Sequence, residues 1–235
     1  MMKVEWLGQA GYLLNMDGTI ICIDPYLSDI VNEAEKMPRM TAPPVRPQEL
    51  KCHLYISTHD HLDHLDPVTV RLMSKENVMF AGPASCIAHF QQLGVNPEKL
   101  ILLGQGQVIW FNGIMIKAVF AAHTEDSIGV AFLYQGKCFY FVGDSLWHDR
   151  LGEELEHVDV LFTCINGKMG NMTDVQAAAL TEKLHPCLAV PNHYGMFAAN
   201  TVDPQPFCKA VRELGIKAYI PQLGEVFFPE EIWQK

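Results

Sequence analysis

The segment LYISTHDHLDHLD, residues 54–66, decides how the rest of the chain is interpreted. An apolar strand, LYIST, runs directly into a loop that holds three histidines and three aspartates within eight residues. Packing does not require so many polar side chains in one loop, whereas histidine is the commonest protein ligand for metal ions. We therefore predict that this loop forms half of a metal site. Its pattern is H-x-H-x-D-H, formed by His59, His61, Asp63 and His64.

The later part of the chain supplies candidates for the other half of the site. His123, Asp144 and His193 each come shortly after an apolar strand, as the histidine loop does. Side chains at the C-terminal ends of strands tend to converge on one edge of an α/β fold. Taken singly, each of the three is better explained as an ordinary polar or turn residue. Their repeated position at strand exits favours one shared site.

Seven candidate ligands are more than one catalytic ion needs, because such a site typically uses three protein ligands and an open position. We therefore expect one or two divalent cations. Imidazole and carboxylate groups without thiolate favour Zn²⁺ and Mn²⁺ and are also compatible with Fe²⁺. The prediction assigns one ion to His59, His61 and His123, the other to Asp63, His64 and His193, and shares Asp144 between them.

Apolar runs and turn signals predict strands and helices along the whole chain. The predicted strands are 3–7, 11–15, 19–24, 52–58, 78–81, 100–103, 108–111, 114–121, 127–134, 138–142, 158–164, 187–190, 216–220 and 225–228. Helices are predicted from an N-cap at Asp66 to about Ser74, and over 83–93, 173–184 and 203–214. This order indicates one α/β (α+β) domain over 1–235, with two mixed sheets packed face to face and helices outside.

Residues 27–51 differ from the rest of the chain because they carry Pro38, Pro43, Pro44 and Pro47. Long proline-rich insertions in compact domains are usually functional loops or mobile segments. This segment leads directly into the histidine strand, a position from which it could cover the site.

Composition narrows the class of partner. The chain has 235 residues, 49% of them hydrophobic, and a net charge of −10, which argues against a nucleic-acid partner. No stretch approaches the roughly 18–20 apolar residues of a membrane span, and the N-terminus lacks the pattern of a signal peptide. Seven scattered cysteines without a C-x-x-C pair indicate reduced thiols in the cytoplasm. We expect a small-molecule substrate, and a homo-oligomer is compatible with these features.

The motifs together resemble the metallo-β-lactamase superfamily. THDHLDHLD is similar to its metal-binding signature, and His123, Gly143-Asp144-Ser145 and His193 are similar to its later metal motifs. The resemblance implies a four-layer αββα sandwich. Asp24, which stands before Pro25, is best explained from sequence alone as a turn residue. It also resembles the superfamily's early aspartate, which implies a supporting role beside the ligands.

Within the superfamily, the chain resembles the L-ascorbate-6-phosphate lactonase group in WLGQAG, GDSLW, NMTDVQAAAL, AVPNHYGMFAANTVDP and IPQLGEVF. The resemblance implies opening of a lactone, for example a sugar-acid lactone that carries a phosphate. The alternatives are a small-molecule phosphodiesterase on the same scaffold, an iron-dependent redox protein and a non-catalytic binding protein. The complete ligand set argues against the last, and no flavin-binding segment supports the redox protein.

We expect the bound cation to lower the pKa of a water molecule, so that hydroxide attacks the substrate near neutral pH. Asp63, His64 and Asp144 are the predicted catalytic residues, and Asp63 is predicted to orient the nucleophile or carry a proton. His148 is better explained as the start of a solvated helix than as a substrate contact. Candidate substrate-binding residues are Arg39, Lys168, Asn192 and Tyr194, although the two cations are explained equally well as surface charges.

Overall fold

The computed structural model describes residues 1–234, which form two mixed β-sheets with helices. The strands in chain order are β1 (Met2–Gly8), β2 (Gly11–Met16), β3 (Thr19–Ile23), β4 (Leu54–Ile56), β5 (Met79–Gly82), β6 (Leu100–Leu102), β7 (Val108–Phe111), β8 (Ile114–Phe120), β9 (Ile128–Tyr134), β10 (Lys137–Phe141), β11 (Val160–Cys164), β12 (Leu188–Asn192), β13 (Lys217–Ala218) and β14 (Val226–Phe227). The helices are α1 (Ile30–Glu35), α2 (Pro67–Leu72), α3 (Ala84–Gln92), α4 (Asp174–Leu184), α5 (Gln205–Glu213) and α6 (Pro229–Trp233).

Each sheet has seven strands and the same arrangement of pairings. The first runs β14-β1-β2-β3-β4-β5-β6 and the second β13-β12-β11-β10-β9-β8-β7. Each sheet has three adjacent antiparallel pairings and three adjacent parallel ones, which meet at β3 in the first sheet and at β10 in the second, so these two strands occupy equivalent places. The two sheets together confirm the predicted α/β sandwich.

Aromatic side chains join the inner faces of the sheets. The ring of Tyr12 on β2 lies 5.3 Å from that of Phe141 on β10 and 5.1 Å from that of Phe162 on β11. Burial of such rings stabilises a core through lost water contact and favourable edge-to-face geometry. On the outer faces, Phe90 of α3 packs against the first sheet and Leu180 of α4 against the second. The layers are therefore helix, sheet, sheet and helix.

Several boundaries follow from local chemistry. The side chain of Asp66 accepts hydrogen bonds from the amides of Val68 and Thr69, which confirms it as the N-cap of α2. Thr173 and Gln176 form a capping box at the start of α4. That helix, the longest in the described chain, has 11 residues, and none of the described helices has the length and apolar character needed to cross a membrane.

The structure corrects the sequence prediction in four places. Residues 27–51 contain the helix α1, which the surrounding prolines obscured, and α6 near the C-terminus was not predicted. His148 lies in an irregular segment and not at a helix start, and its ring packs 4.8 Å from that of Phe120. Six of the seven cysteines are buried and all are free thiols, but Cys187, predicted within a strand, is exposed just before β12.

Candidate metal centre

The seven predicted ligands meet at one edge of the sandwich. The histidine loop follows β4, whereas His123, Asp144 and His193 follow β8, β10 and β12. The ligand atoms fall into groups whose members lie within 4.8 Å of one another. These groups are His59, His61 and His123; His59, His64 and Asp144; and Asp63, His64 and His193.

The first group presents three imidazole nitrogens to one point. His59 Nε2 lies 3.0 Å from His61 Nδ1, and His123 Nε2 lies 3.2 Å from the same His61 atom. His61 is exposed while His59 is fully buried, so the group spans the boundary between core and solvent. Three converging imidazoles are a ligand set that catalytic zinc sites use.

The third group, Asp63, His64 and His193, combines two imidazoles with a carboxylate. His193 Nε2 lies 3.5 Å from Asp63 Oδ2, and His64 Nε2 lies 3.8 Å from the same oxygen. The rings of His64 and His193 are stacked with centroids 5.7 Å apart. This group matches the second predicted ion.

Asp144 lies between the first group and the third group. Its Oδ2 is 3.1 Å from His193 Nε2 and 3.9 Å from His123 Nε2, and its Oδ1 is 3.3 Å from His64 Nε2. One carboxylate therefore reaches histidines of both groups. This is the position that a shared ligand requires.

Two buried atoms test whether these residues fit a cation. His64 Nε2 and Asp144 Oδ1 face each other, but both are buried without a hydrogen-bond partner among the described residues. An unpaired buried polar atom costs roughly 1–3 kcal/mol, so native structures normally satisfy it. The two atoms belong to the nitrogen and oxygen donors that Zn²⁺, Mn²⁺ and Fe²⁺ accept. The residues therefore fit a divalent metal.

A set of hydrogen bonds holds the ligands from behind. His64 Nδ1 lies 2.8 Å from Asp24 Oδ2, and His123 Nδ1 lies 3.0 Å from the carbonyl oxygen of Gly170. Such partners fix which ring nitrogen carries the proton and leave the other nitrogen free for a metal. Asp24 therefore contacts the predicted ligand His64 directly, and its supporting role beside a metal stays a prediction.

Three further residues support the site and were not predicted from sequence. Gln9 Nε2 donates a 2.8 Å hydrogen bond to Asp63 Oδ2, and Asn171 Nδ2 donates one of 2.8 Å to Asp144 Oδ2. Thr58 donates to both oxygens of Asp24, through its amide at 2.8 Å and its hydroxyl at 2.6 Å. The available sequence signal was that Gln9 belongs to the quoted motif WLGQAG and that Asn171 is the first residue of the quoted motif NMTDVQAAAL.

The cluster shifts the pKa values of its members in opposite directions. Burial lowers the pKa of His59 well below its usual value, and neighbouring His64 lowers it further. Burial also lowers the pKa of His193, but the carboxylates of Asp144 and Asp63 outweigh it and raise the value to about 9. For Asp144, burial raises the pKa, and the attraction of His193 and His64 reverses the effect to well below normal. Asp144 is therefore an anion near neutral pH.

Backbone strain accompanies this chemistry. Gln9, Asp24 and His193 have φ values of +53°, +45° and +60°, in the left-handed region that side chains other than glycine rarely adopt. Such conformations persist only where surrounding contacts impose them, and they cluster at functional sites. One such contact joins the His193 amide to the carbonyl oxygen of Gln9 at 3.0 Å.

A cavity of about 130 Å³ opens beside the cluster. Among the described residues, its walls are formed by Val31, Glu35, Met37, His61, Asp63, Asp144, Met169, His193, Phe197 and Asn200. Residues 27–51 contribute Val31, Glu35 and Met37 to these walls.

The four predicted substrate-binding residues are not among the walls of this cavity. Arg39 donates to the carbonyl oxygens of Tyr26 and Ser28, and Lys168 donates to that of Ala199. Asn192 is buried, and the Tyr194 ring packs 5.0 Å from that of Trp6. Binding of substrate by Arg39, Lys168, Asn192 and Tyr194 stays a prediction.

The sequence of this chain is similar to those of known proteins. A family model described as "Beta-lactamase superfamily domain" matches residues 3–193. A UPF0173 metal-dependent hydrolase of Sulfurisphaera tokodaii is 32% identical, over 96% of this chain and 98% of its own length.

Two solved structures have the same fold. Igni18, a metallo hydrolase from Ignicoccus hospitalis, is 23% identical with a TM-score of 0.78, over 96% of this chain and 97% of that one. An isothiocyanate hydrolase from Delia radicum gut bacteria is 20% identical with a TM-score of 0.80, over 97% and 99% of the two chains.

Proposed function

We propose that this chain, which belongs to the beta-lactamase superfamily and to its UPF0173 metal-dependent hydrolases, opens the ring of a lactone. The observation that carries the proposal is the convergence of seven imidazole and carboxylate ligands beside a cavity. The lactone itself is suggested by the resemblance of the chain's motifs to lactonases of the superfamily. We further propose Mn²⁺ or Zn²⁺ as the metal, because no thiolate belongs to the ligand groups.

A divalent cation held by these residues would supply an ionised water molecule near neutral pH and polarise the attacked carbonyl group. Side chains around the attacked carbonyl group would hold and transfer protons. Gln9 holds Asp63 through a hydrogen bond to Oδ2, and Asp63 would take a proton from the attacking water and deliver it to the leaving alkoxide. Asp24 fixes the Nδ1 proton of His64, so that His64 Nε2 faces the reaction.

The test begins with protein purified without added metal. Bound Mn, Fe and Zn are measured, and simple lactones are assayed beside bis(p-nitrophenyl) phosphate. We expect lactone opening that depends on Mn²⁺ or Zn²⁺ and is lost on chelation. Hydrolysis of the diester without opening of any lactone would contradict the proposal and favour a phosphodiesterase.

Matched histidine variants separate the site from the rest of the chain. His64→Ala removes a buried imidazole that belongs to two ligand groups, so we expect loss of both metal and activity. His157→Ala is the control, because its exposed ring contacts Asp159 outside the site. Equal metal content and rate in both variants would overturn the site assignment.

A further inference from the structure

The cavity beside the cluster has one wall of metal ligands and one of different chemistry. His61, Asp63, Asp144 and His193 form the first wall. The second is formed by Val31, Glu35, Met37, Met169, Phe197 and Asn200. A substrate with its carbonyl group at the ligands must place its substituent against this second wall, which therefore selects the substrate.

The second wall is mainly apolar. Val31 and Phe197 are buried in a small hydrophobic cluster with Tyr26 and Met196, separate from the cores of the two sheets. Met37 packs against the same cluster, and the rings of Tyr26 and Phe197 lie 5.6 Å apart. Helix α1 and the loop after β12 thus build an apolar surface directly beside the ligands. Such a surface gains free energy by burying hydrocarbon.

The polar groups of the second wall do not suit an anion. Among the described residues that form this wall, Glu35 is the only charged one, and its acidic side chain is exposed. Asn200 is already engaged, because its Oδ1 accepts a 2.7 Å hydrogen bond from Asn166 and its Nδ2 lies 3.4 Å from Met169 Sδ. Phosphate sites normally offer arginine, lysine or several free amide hydrogens.

Basic residues close in sequence are turned to backbone carbonyl oxygens. Lys36, between Glu35 and Met37, donates to the carbonyl of Glu33 at 3.0 Å. Lys168, next to Met169, donates to that of Ala199 at 3.0 Å. Arg39 donates through Nε and Nη1 to three carbonyl oxygens; its Nη2 is buried without a hydrogen-bond partner among the described residues, but Arg39 is not one of the cavity walls. A phosphate in the cavity would therefore lie beside Glu35 without a cationic partner from this wall.

We infer that the substrate is a small uncharged lactone with a short hydrocarbon substituent, and not a phosphorylated one. This inference rests on the proposed lactone opening and narrows it. The volume of about 130 Å³ agrees with a small substrate, since sites for drug-sized ligands enclose roughly 300–1,000 Å³. An anionic substituent would lose its hydration without gaining a counter-charge.

A matched pair of lactones tests the inference on the metal-loaded protein. One is γ-butyrolactone with an ethyl group on the γ-carbon, and the other carries a phosphorylated hydroxymethyl group there. We expect kcat/KM to favour the ethyl compound by about tenfold or more, because like charges in a binding site are disfavoured. Equal or greater kcat/KM for the phosphorylated lactone would overturn the inference.

Two charge reversals on the same helix locate the effect. Glu35→Lys places a cation on the cavity wall, and we expect it to shift the preference toward the phosphorylated lactone by about fivefold or more. Glu33→Lys makes the same charge change at an exposed position of α1 outside the cavity, and we expect the preference to stay as in the unmodified chain. An equal shift in both variants would contradict a role for the wall.

Binding without turnover keeps the inference separate from the proposed function. The corresponding γ-lactams are not opened readily, and their effect on the melting temperature reports occupation of the cavity. We expect the ethyl lactam to raise the melting temperature more than the phosphorylated lactam does. If neither lactone is opened, the proposed function is wrong, and the lactams still decide the polarity of the cavity: a larger shift with the phosphorylated compound would overturn the inference.

Discussion

Asp24 and Asp144 occupy equivalent places in the two sheets but have different surroundings. Asp24 directly follows β3, and Asp144 comes shortly after β10, the strands at which each sheet changes from antiparallel to parallel pairing. Their side chains lie on opposite sides of the same imidazole. Asp24 Oδ2 is 2.8 Å from His64 Nδ1, whereas Asp144 Oδ1 is 3.3 Å from His64 Nε2.

Hydrogen bonding separates the two carboxylates. Both are buried, with exposed fractions of 1% and 5%. Asp24 is paired on both oxygens, by Thr58 and His64, whereas Asp144 receives a hydrogen bond from Asn171 on Oδ2 only and has an unpaired Oδ1. The saturated carboxylate has nothing left to offer a cation, and the unsaturated one does.

Electrostatics follows the same division. Burial raises the pKa of Asp24, and its contacts with His64 and Thr58 offset this only in part. Burial also raises the pKa of Asp144, but His193 and His64 together reverse the effect. The comparison shows that two aspartates at equivalent strand ends have different surroundings: Asp24 is held by hydrogen bonds, whereas Asp144 faces the predicted metal ligands. Four variants would break or sharpen this distinction.

The largest effect is expected for Asp144→Asn. The amide keeps the shape and can still accept from Asn171, but it loses the charge that binds a cation. We expect kcat/KM to fall on the order of a thousandfold, with one ion lost, because metal-assisted charge stabilisation contributes several kcal/mol. Elemental analysis and lactone kinetics check this. Full metal content and an unchanged rate would remove Asp144 from the ligand set.

Asp24→Asn is expected to act mainly on stability. Either orientation of the amide places an N–H opposite a donor from Thr58 or His64, which costs roughly 1–3 kcal/mol of unfolding free energy. Loss of support for His64 is expected to lower kcat/KM by about ten- to a hundredfold. Denaturant unfolding and kinetics of both aspartate variants provide the comparison. A larger stability loss in Asp144→Asn than in Asp24→Asn would reverse the two roles.

Gly170→Ala tests a ligand on the Asp144 side. Gly170 has φ +84°, and an added Cβ would lie 2.8 Å from His123 Nδ1. This distance is too short for a van der Waals contact, so one of the two residues must move. We expect metal affinity to fall about tenfold through displacement of His123. Gly136→Ala is the matched control, because φ is +73° and nothing lies within 4 Å of its Cβ. Both should lose about 1–2 kcal/mol of stability, but only Gly170→Ala should release metal more readily.

The smallest effect is expected for Gln9→Leu. This change removes the N–H donor to Asp63 while retaining an aliphatic side chain of similar size. We expect kcat to fall by about three- to tenfold with KM nearly unchanged, since Gln9 contacts Asp63, the proposed proton carrier, and does not line the cavity. Steady-state kinetics at several lactone concentrations measure both. A rise in KM alone would assign Gln9 to substrate binding.

Local patterns in the sequence were sufficient to predict most of the strands and the seven residues that cluster at one edge of the sandwich. Apolar runs ended at ligand residues, and the H-x-H-x-D-H pattern is contiguous in the chain. The helix α1 was missed because six residues are too few to display a helical period and prolines follow soon after. The five-residue α6 was missed for the same reason of length, although Pro229 and two glutamates mark its first turn.

The supporting residues could not be predicted because their roles depend on contacts between distant parts of the chain. Gln9 is separated from Asp63 by 54 positions, and Gly170 from His123 by 47. A polar residue between glycines is typical of a turn, and nothing local distinguishes one that supports a ligand. The walls of the cavity were likewise unpredictable, since α1 and the loop after β12 meet only in the folded chain.

The pairing of β14 with β1 has a consequence for how the protein is made. The strand Val226–Phe227 pairs with the strand that begins at Met2, so the first sheet stays incomplete until residues 226–227 have been synthesised. The histidine loop leaves the ribosome well before His193, with a delay on the order of ten seconds at 5–20 residues per second. During that interval the nascent chain offers only part of its ligand set. A metal site built from all seven residues would therefore form only after His193 has been synthesised and the two halves of the chain have closed on each other.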